Sequence, residues 1–391
     1  MKISFMKFLD EYVGRLIASA LTVFSRTARN NDEKNPRQIL VIKFWGIGSV
    51  TLSIPLLVHL KKKYPGSTVH YLTLENNSAL CKMIGEIDCI HAVSTETPLS
   101  FFSTFIKIIF ELRREHIDVV FDLEFFTNIS SIISALSGAP ERIGFVNRSR
   151  AMDVRKRLYS RQVEFCDDKH TAENFLRLAD TEGSLQFSSF RFGEAPGEIS
   201  LYPFSVLFNI NASPLAYERR WEREEFCQLA EFLIEEFNAH LYLTGTNEER
   251  TYVQEFFKSL HRNDAVTNLC GESDVQQFVS LISRCQLVVT NDSGPLHLAS
   301  ALNIPTIAFF GPETPLRYGS LADLHLTFYK NLWCSPCMTI SNLKTVNCIN
   351  DRQCMKQIRF SEIKEAVNNF VRSLPNASQE TIENTISVGG T

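Results

Sequence analysis

The stretch Leu287–Pro312 reads LVVTNDSGPLHLASALNIPTIAFFGP, and it decides the fold class of the chain. It opens with a short apolar, β-branched run that is typical of a buried parallel strand. Asn291, Asp292 and Ser293 follow, and each of them can cap a helix, while Pro295 suits the first helical position. A second apolar run, TIAFF, predicts the next strand. The stretch therefore predicts one strand–helix–strand unit of an α/β protein.

The junction between this strand and this helix predicts an anion site. Unpaired N–H groups and the positive end of the helix dipole point toward the start of a helix. In α/β proteins a phosphate is usually held at such a place. The residues that lie there are Asp292, Ser293, Gly294 and His297.

Length and composition limit the class of protein. The chain has 391 residues, enough for two domains, and 44% hydrophobic and 21% charged residues are ordinary for a soluble globular protein. The formal net charge of -4 gives no basic field that would attract nucleic acid. No apolar run approaches the ~20 residues that a membrane span needs. We expect no nucleic-acid partner and no transmembrane helix.

Strands and helices alternate along most of the chain, which indicates an α/β fold with two doubly wound, Rossmann-like domains. Ligands of such sheets bind at the carboxyl ends of the strands, so we expect the two domains to face a cleft. The predicted organisation is an amphipathic helix and linker at 1–37, a first domain at 38–183, a linker at 184–200, a second domain at 201–374 and a disordered tail at 375–391.

The first 26 residues have a helical pattern, with apolar side chains three or four positions apart: Phe5, Leu9, Tyr12, Leu16, Ala20 and Val23. One interpretation is an interfacial helix that rests on a membrane. The alternative is a helix that packs on the body of the protein or on another copy. Charged residues interrupt the apolar run that a secretory signal peptide requires, so a signal peptide is disfavoured.

Polar and basic side chains follow the predicted strands of the second domain. A helix start, a basic side chain and hydroxyl groups together suit a nucleotide diphosphate, and Glu248 suits ribose hydroxyls. Each of these residues taken alone is more often a helix cap or a turn former. The candidates are Asn211, Ser213, Arg219, Asn247, Glu248, Asp292, Ser293, Gly294 and His297.

Several enzyme classes lack support in the sequence. The first-domain turn Gly46-Ile47-Gly48 does not complete a dinucleotide fingerprint, because Thr51 stands at the third glycine position. The chain has no phosphate-binding loop that ends in Gly-Lys-Ser/Thr, no HExxH and no GxSxG.

Four segments together resemble a known family over about residues 38–360. They are ILVIKFWGIGSVTLSIPLL, ERIGF, RRW and the element Asp292-Ser293-Gly294-Pro295-Leu296-His297. The chain resembles glycosyltransferase family 9, the ADP-heptose:lipopolysaccharide heptosyltransferase family. The resemblance implies a GT-B fold with an N-terminal acceptor domain and a C-terminal donor domain. It also implies inverting, metal-independent transfer from a nucleotide sugar, typically ADP-heptose, to a lipid-linked core oligosaccharide.

The resemblance also assigns roles in the donor domain. Asp292, Ser293, Gly294 and His297 would hold the diphosphate and sugar of the donor. Arg219 or Arg220, just before the tryptophan, would balance the charge of the leaving diphosphate. Ser213 corresponds to a hydroxyl in the strand-exit loop. Glu248 is the predicted ribose-binding acid, with Asn247 and Glu249 as alternatives.

The position of the catalytic base departs from the family pattern. The family places an aspartate after the glycine of the first loop, where this chain has Ser49. A serine hydroxyl is too weak a base to replace a carboxylate near neutral pH. We favour Glu124, just past a predicted strand, as the replacement, with Asp122 as an alternative. The remaining alternative is that the protein binds its donor without turnover.

Four cysteines cluster near the C-terminus, namely Cys334, Cys337, Cys348 and Cys354. Four thiolates at such spacings can hold structural zinc, although the spacing is not that of a standard zinc ribbon. Reduced or paired cysteines are the favoured interpretation. We expect no required cofactor.

The sequence thus predicts a cytoplasmic glycosyltransferase of lipopolysaccharide biosynthesis at the inner face of the membrane. Its expected partners are a nucleotide-sugar donor, with ADP-heptose favoured, a lipid-linked glycan acceptor, and the membrane surface. The alternatives are a catalytically silent nucleotide-sugar-binding protein, or another GT-B-type enzyme such as a sugar-nucleotide epimerase.

Overall fold

The computed structural model describes residues 10–24, 35–125, 127–146, 153–180, 185, 187, 190, 202–212, 217–340, 342 and 345–375. The chain divides into two compact units, Met1–Arg191 and Phe192–Thr391. Parts of three predictions lie outside the described residues: most of the linker at 184–200, the tail after residue 375, and both ends of the helix predicted over residues 1–26.

The first unit contains a six-stranded sheet in which every pair of neighbouring strands is parallel. The strand order β3-β2-β1-β4-β5-β6 is that of a Rossmann fold. Strands β1 to β6 are Gln38–Ile42, Thr68–Leu74, Cys89–Val93, Val119–Asp122, Glu141–Val146 and Arg161–Glu164. Helices α1 to α7 are Arg15–Phe24, Ile47–Thr51, Ile54–Lys63, Ser78–Met83, Pro98–Arg114, Asn128–Leu136 and Thr171–Arg177.

The second unit repeats this plan with the order β12-β11-β10-β7-β8-β9, again fully parallel. Strands β7 to β12 are Ser205–Asn209, His240–Leu243, Val266–Asn268, Leu287–Asn291, Thr306–Phe310 and His325–Tyr329. Helices α8 to α14 are Arg223–Phe237, Arg250–Ser259, Val275–Arg284, Gly294–Ala301, Pro315–Tyr318, Gln353–Lys356 and Phe360–Arg372. The strand order reverses between β1 and β4 in the first unit and between β7 and β10 in the second, and ligands bind at such points.

Trp221 anchors the chain in front of α8 to the core of the second unit. Its ring is 1% exposed and stacks on Phe309 with centroids 3.8 Å apart. Its backbone N–H donates to Asn291 Oδ1 (2.9 Å), and its indole N–H donates to the Ile358 carbonyl (2.7 Å). These contacts fix the position of the two arginines that precede it.

The first helix after β1 begins before Ser49. α2 starts at Ile47, so Ser49 lies inside the helix and does not cap it. The capping residue is Gly46 with φ of 78°, a left-handed conformation that glycine adopts without a steric penalty. The Thr51 hydroxyl instead donates to the Ile47 carbonyl one turn back (2.9 Å).

The N-terminal segment is attached to the first unit through Asp10. This residue opens a π-helical turn, Asp10–Gly14, that leads into α1. Its carboxylate accepts hydrogen bonds from the backbone N–H groups of Asn128 (3.0 Å) and Ile129 (2.7 Å), the first two residues of α6. Ala18 of α1 is fully buried against Ile132. The N-terminal segment thus packs on the body of its own unit.

Asp10 therefore caps a helix from a distant part of the chain, and its loss should destabilise the protein. We expect Asp10→Ala to lower the free energy of unfolding by about 1–2 kcal/mol, as measured by chemical denaturation. The matched control is Glu11→Ala, because Glu11 is an exposed acid in the same turn. Equal stability of the two variants would contradict the capping role.

Candidate functional site

The carboxyl ends of β7 and β10 in the second unit are held together by Asn291. Its side-chain amide donates to the carbonyls of Ile210 and Asn211, both at 3.0 Å. Asn211 in turn donates through Nδ2 to the Thr244 carbonyl (2.9 Å), just after β8. The Asn211 Oδ1 atom is buried and has no hydrogen-bond partner within the described ranges. The three strand ends thus form one fixed polar edge with an acceptor left over.

Arg219 and Asp292 meet at this edge. Arg219 Nη1 donates to the Asp292 backbone carbonyl (2.9 Å) and lies 3.3 Å from Asp292 Oδ2. The two side chains are 11% and 6% exposed. Arg219 Nε is buried without a hydrogen-bond partner in the part of the chain that the structure describes. A phosphate oxygen would satisfy such a donor, because guanidinium groups bind phosphates through several N–H groups.

The start of α11 lies directly after Asp292. Ser293 is its N-cap residue, but the Ser293 side chain accepts no capping hydrogen bond and instead lies 3.0 Å from the Thr290 hydroxyl. The next residue, Gly294, adds no side chain over the first turn. The positive end of the α11 dipole is therefore not covered by a capping side chain, as an anion site requires.

His297 lies in the first turn of α11 and is 5% exposed. Its ring meets the ring of Tyr318 edge to face, with centroids 6.1 Å apart. The structure thus places five of the predicted donor-binding residues at the start of α11: Arg219, Asp292, Ser293, Gly294 and His297.

The two neighbouring arginines have different surroundings. The Arg220 guanidinium lies over the rings of Tyr217 (4.6 Å) and Tyr252 (4.2 Å). Its Nη2 atom is 3.8 Å from Glu249 Oε1. Arg219 instead contacts Asp292. The two arginines that were predicted to balance the diphosphate charge are therefore paired with different acids.

Glu248 and Glu249 are adjacent in sequence but differ in environment. Glu248 is exposed, and hydrogen bonds from its own backbone N–H and from the Thr246 hydroxyl lower its pKa. Glu249 is 9% exposed, and its Oε2 atom accepts from the Thr246 N–H (2.9 Å). Sequence pattern alone does not separate two consecutive acids. Ser213, which was predicted in the loop after β7, lies outside the described residues.

In the first unit, Glu124 fixes the loop after β1. Its Oε1 atom accepts from Lys43 Nζ (2.9 Å), the Phe44 N–H (2.6 Å) and the Trp45 N–H (3.3 Å). Glu124 and Lys43 are 3% and 2% exposed. Ser49 lies just after this loop, in α2, and is partly exposed. Glu124 and Ser49 thus belong to the same strand-end region of the first unit.

Asp122 is part of a buried polar network that the sequence pattern did not reveal. Its Oδ2 atom accepts from the Tyr159 hydroxyl (2.5 Å) and lies 3.6 Å from Arg155 Nη2, and its Oδ1 atom accepts from the Glu124 N–H (3.0 Å). Burial raises the pKa of Asp122, although Arg155 acts in the opposite direction. Both oxygens are occupied, so Asp122 suits a structural role better than it suits proton transfer.

The four clustered cysteines of the second unit line a single cavity of about 150 Å³. Burial, followed by the neighbouring thiols Cys348 and Cys334, raises the pKa of Cys337. Burial also raises the pKa of Cys354 to about 11, so this thiol is protonated near neutral pH. Within the described ranges, no three or more His, Cys, Asp or Glu side chains are arranged to hold a metal ion.

Two Rossmann-like units, each with a fully parallel six-stranded sheet, define an α/β protein of the GT-B class. The sequence profile of glycosyltransferase family 9 (heptosyltransferase) matches residues 105–346. The chain therefore belongs to glycosyltransferase family 9. This match confirms the predicted family and, with it, the predicted class of enzyme, a glycosyltransferase.

Individual relatives agree with this membership. Lipopolysaccharide heptosyltransferase 2 of Escherichia coli (strain K12) is 25% identical over 305 residues, which cover 71% of this chain and 84% of the relative. A family 9 glycosyltransferase structure from Veillonella parvula DSM 2008 has a TM-score of 0.70 and 19% identity, covering 88% of this chain and 99% of that one. The structure of E. coli ADP-heptose lps heptosyltransferase II has a TM-score of 0.66 and 21% identity, with 85% and 98% covered. The structural neighbours confirm the predicted fold class.

The geometry predicts that Arg219 contributes directly to the binding of a nucleotide diphosphate. We expect Arg219→Ala to weaken ADP binding by about 10-fold to 100-fold in isothermal titration calorimetry, because hydrogen bonds to a charged group are lost. The control is Arg223→Ala, since Arg223 lies on α8 and pairs with Glu255 at the surface (3.2 Å). Unchanged ADP affinity in the Arg219 variant would contradict the assignment.

Proposed function

We propose that this glycosyltransferase transfers heptose from ADP-heptose to a lipopolysaccharide-type glycan acceptor, with inversion at the anomeric carbon. The observation that carries the proposal is the contact between Arg219 and Asp292 at the uncovered start of α11. A cation, a helix dipole and a buried unpartnered N–H group converge there. The relative from E. coli is named as a lipopolysaccharide heptosyltransferase, which supports the choice of substrate class.

The proposed reaction is a single displacement. The oxygen of an acceptor hydroxyl forms a bond to the anomeric carbon of the sugar, while the bond from that carbon to the β-phosphate oxygen breaks. ADP leaves with the electron pair of the broken bond, and a base of the protein takes the hydroxyl proton. The leaving diphosphate gains negative charge, and Arg219 and the α11 dipole stabilise it.

The donor-binding set in this proposal has Asp292, Ser293, Gly294 and His297 around the diphosphate and sugar. Arg220 supports the site through Glu249. Glu248 stays the proposed ribose ligand, with Asn247 and Glu249 as the alternatives, and Glu249 is held beside Arg220. Ser213 remains a prediction.

We assign the base to Glu124 rather than to Ser49 or Asp122. The three donors described above all bind Oε1 of Glu124, which leaves Oε2 as the oxygen that could take a proton. Asp122 is fully buried, with both oxygens occupied. The alternative function, nucleotide-sugar binding without turnover, is favoured by one observation: Ser49 stands where the family has its aspartate.

We further propose that the enzyme works in the cytoplasm, at the inner face of the membrane, where nucleotide sugars and a lipid-linked acceptor meet. No required metal is proposed, since Arg219 and the helix start supply the positive charge. Structural zinc at Cys334, Cys337, Cys348 and Cys354 is the alternative for the cysteine cavity.

Isotope-labelled ADP-heptose tests the function. We expect label to appear in a lipopolysaccharide core acceptor that lacks heptose. Tight donor binding without transfer would favour the silent binding protein, and isomerised donor would favour an epimerase. The same assay with EDTA, together with elemental analysis of the purified protein, tests the metal: unchanged transfer and no bound zinc are expected, and stoichiometric zinc would contradict this.

The base assignment is tested by Glu124→Gln, with Ser49→Ala as the control. We expect Glu124→Gln to lower kcat by about 10²–10⁴-fold, with ADP affinity unchanged, because general base catalysis typically contributes that much. Ser49→Ala should change kcat far less. A full transfer rate in Glu124→Gln would exclude Glu124 as the base.

Glu124 also holds the Lys43–Trp45 loop, so a structural loss has to be distinguished from a catalytic one. Thermal unfolding of the variant reports the structural effect, since removal of one partner of a buried ion pair is destabilising. The pH dependence of kcat in the wild type reports the base. A variant that only loses stability and keeps its kcat near the wild-type value at low temperature would assign Glu124 to the loop alone.

A further inference from the structure

The exposed apolar side chains of this protein are concentrated on two helical segments of the first unit. Among the described residues fourteen large apolar side chains are exposed, and eight of them lie on the segment from Asp10 to the end of α1 and on α5. Single exposed apolar residues are ordinary, whereas a group of this size marks an interaction surface. The eight are Tyr12, Val13, Leu16, Ile17, Leu99, Phe102, Ile106 and Phe110.

On α5 the exposed apolar residues form one stripe. Leu99, Phe102, Ile106 and Phe110 are three or four positions apart, so they lie along the same side of the helix. Their exposed fractions are 80%, 50%, 54% and 66%. The opposite side of α5 is buried in the core, with Leu112 fully buried. A surface helix normally presents mostly polar residues outward, whereas the outer side of α5 carries this apolar stripe beside its exposed charged residues.

The N-terminal segment has the same property. Tyr12 and Leu16 are one turn apart, and their exposed fractions are 60% and 72%. The other side of the segment packs closely on α6: a Cβ atom at Gly14 would lie 3.2 Å from the Asn128 Cβ atom. Because the Asp10 carboxylate fixes the segment on α6, its apolar side is held outward.

The two segments belong to one layer of the first unit. α5 leads from β3 to β4 and α6 from β4 to β5, in the same direction across the sheet, so right-handed crossovers place both on one face. α1 packs on α6, and Phe105 of α5 packs against the cluster that contains Ala18 of α1. We call the exposed sides of α5 and of the Asp10–Phe24 segment the apolar face.

The charges at the apolar face are mainly basic. The exposed charged residues of α5 are Lys107, Arg113 and Arg114, and Glu111 is tied to Lys107 (3.6 Å) and His91 (3.3 Å). The N-terminal segment adds Arg15 and Glu11, and also Asp10, whose carboxylate caps α6. Apart from Asp10, the two segments carry four cations and two acids, whereas the whole chain carries a net charge of -4. An apolar helix side with basic residues at its edge is typical of binding to an anionic membrane surface.

We propose that the apolar face docks this protein on an anionic lipid bilayer, with the side chains of α5 inserted at the interface. The choice of a bilayer rests partly on the proposed function, because a lipid-linked acceptor lies at a membrane surface. A symmetric pair of copies would bring the same basic edges together, which costs binding free energy, whereas anionic lipid neutralises them. No helix of the described residues is long and apolar enough to cross a bilayer.

Co-sedimentation of the full chain with vesicles tests the proposal. The wild type should bind vesicles of phosphatidylcholine with phosphatidylglycerol more strongly than phosphatidylcholine alone. The variant Phe102→Ser/Ile106→Ser/Phe110→Ser should lose at least about tenfold in partitioning, because it removes buried apolar area from the lipid contact. The matched control is Leu316→Ser/Leu324→Ser, two exposed apolar residues of the second unit, which should bind like the wild type.

A second variant, Lys107→Glu/Arg114→Glu, should lose the preference for phosphatidylglycerol while the apolar stripe stays intact. ADP affinity of each variant shows that the fold is preserved. Wild-type vesicle binding by the triple serine variant would overturn the proposal. A wild type that ignores vesicles and forms a dimer that the triple variant dissociates would also overturn it, in favour of a contact between copies.

The result is separable from the proposed function. Vesicle binding that depends on α5, without any sugar transfer, supports the docking surface and counts only against the transferase proposal. Sugar transfer to a delipidated oligosaccharide, without vesicle binding, overturns the docking surface and leaves the transferase proposal standing.

Discussion

The amide side chain of Asn291 is the interaction on which the second unit depends most. It donates to the carbonyls of Ile210 and Asn211 and accepts from the Trp221 N–H. One side chain therefore joins the end of β7, the end of β10 and the segment that carries the two arginines. Because Arg219 and Asp292 are adjacent to these fixed points, their contact is set by the backbone and not by flexible loops. A binding site that is preorganised in this way, as the proposed donor site would be, loses little free energy to reorganisation on binding.

In the first unit a charged side chain, and not an amide, joins two strand ends. Glu124, two residues after β4, binds the N–H groups that follow β1, as Asn291 at the end of β10 binds the carbonyls that follow β7. The buried carboxylate also requires Lys43 as its partner. An amide oxygen at this position would hold the loop without a buried charge that needs a charged partner. The use of an ion pair in the first unit therefore agrees with a role for the carboxylate beyond structure. Buried ion pairs are weak evidence of stability by themselves.

The sequence was informative where a local rule determined the structure. The stretch from Leu287 to Pro312 has the predicted strand, helix and strand. Two edge strands were not predicted from the sequence. β6 reads RQVE and has no apolar run, and β12 is only partly buried. An edge strand needs fewer apolar residues, so its pattern is weaker.

Long-range contacts could not be predicted, because their partners are far apart in the chain. Asp10 caps a helix that begins 118 residues later, and Arg155 and Tyr159 meet Asp122 only in the folded unit. A contact of this kind also explains the glycine of the ERIGF motif. A Cβ atom at Gly144 would collide with the Tyr159 ring. The sequence pointed to the start of α11 as a candidate anion site, but the contacts among Arg219, Arg220, Asp292 and Glu249 required the structure.

We propose that the second unit holds the donor diphosphate at the start of α11. Hydrogen–deuterium exchange of the full chain with and without ADP tests this proposal. We expect slower exchange on ADP binding in peptides that cover Asp292–His297 and Tyr217–Trp221, with no change at Gly46–Thr51. Protection at Gly46–Thr51 without protection at Asp292–His297 would contradict it.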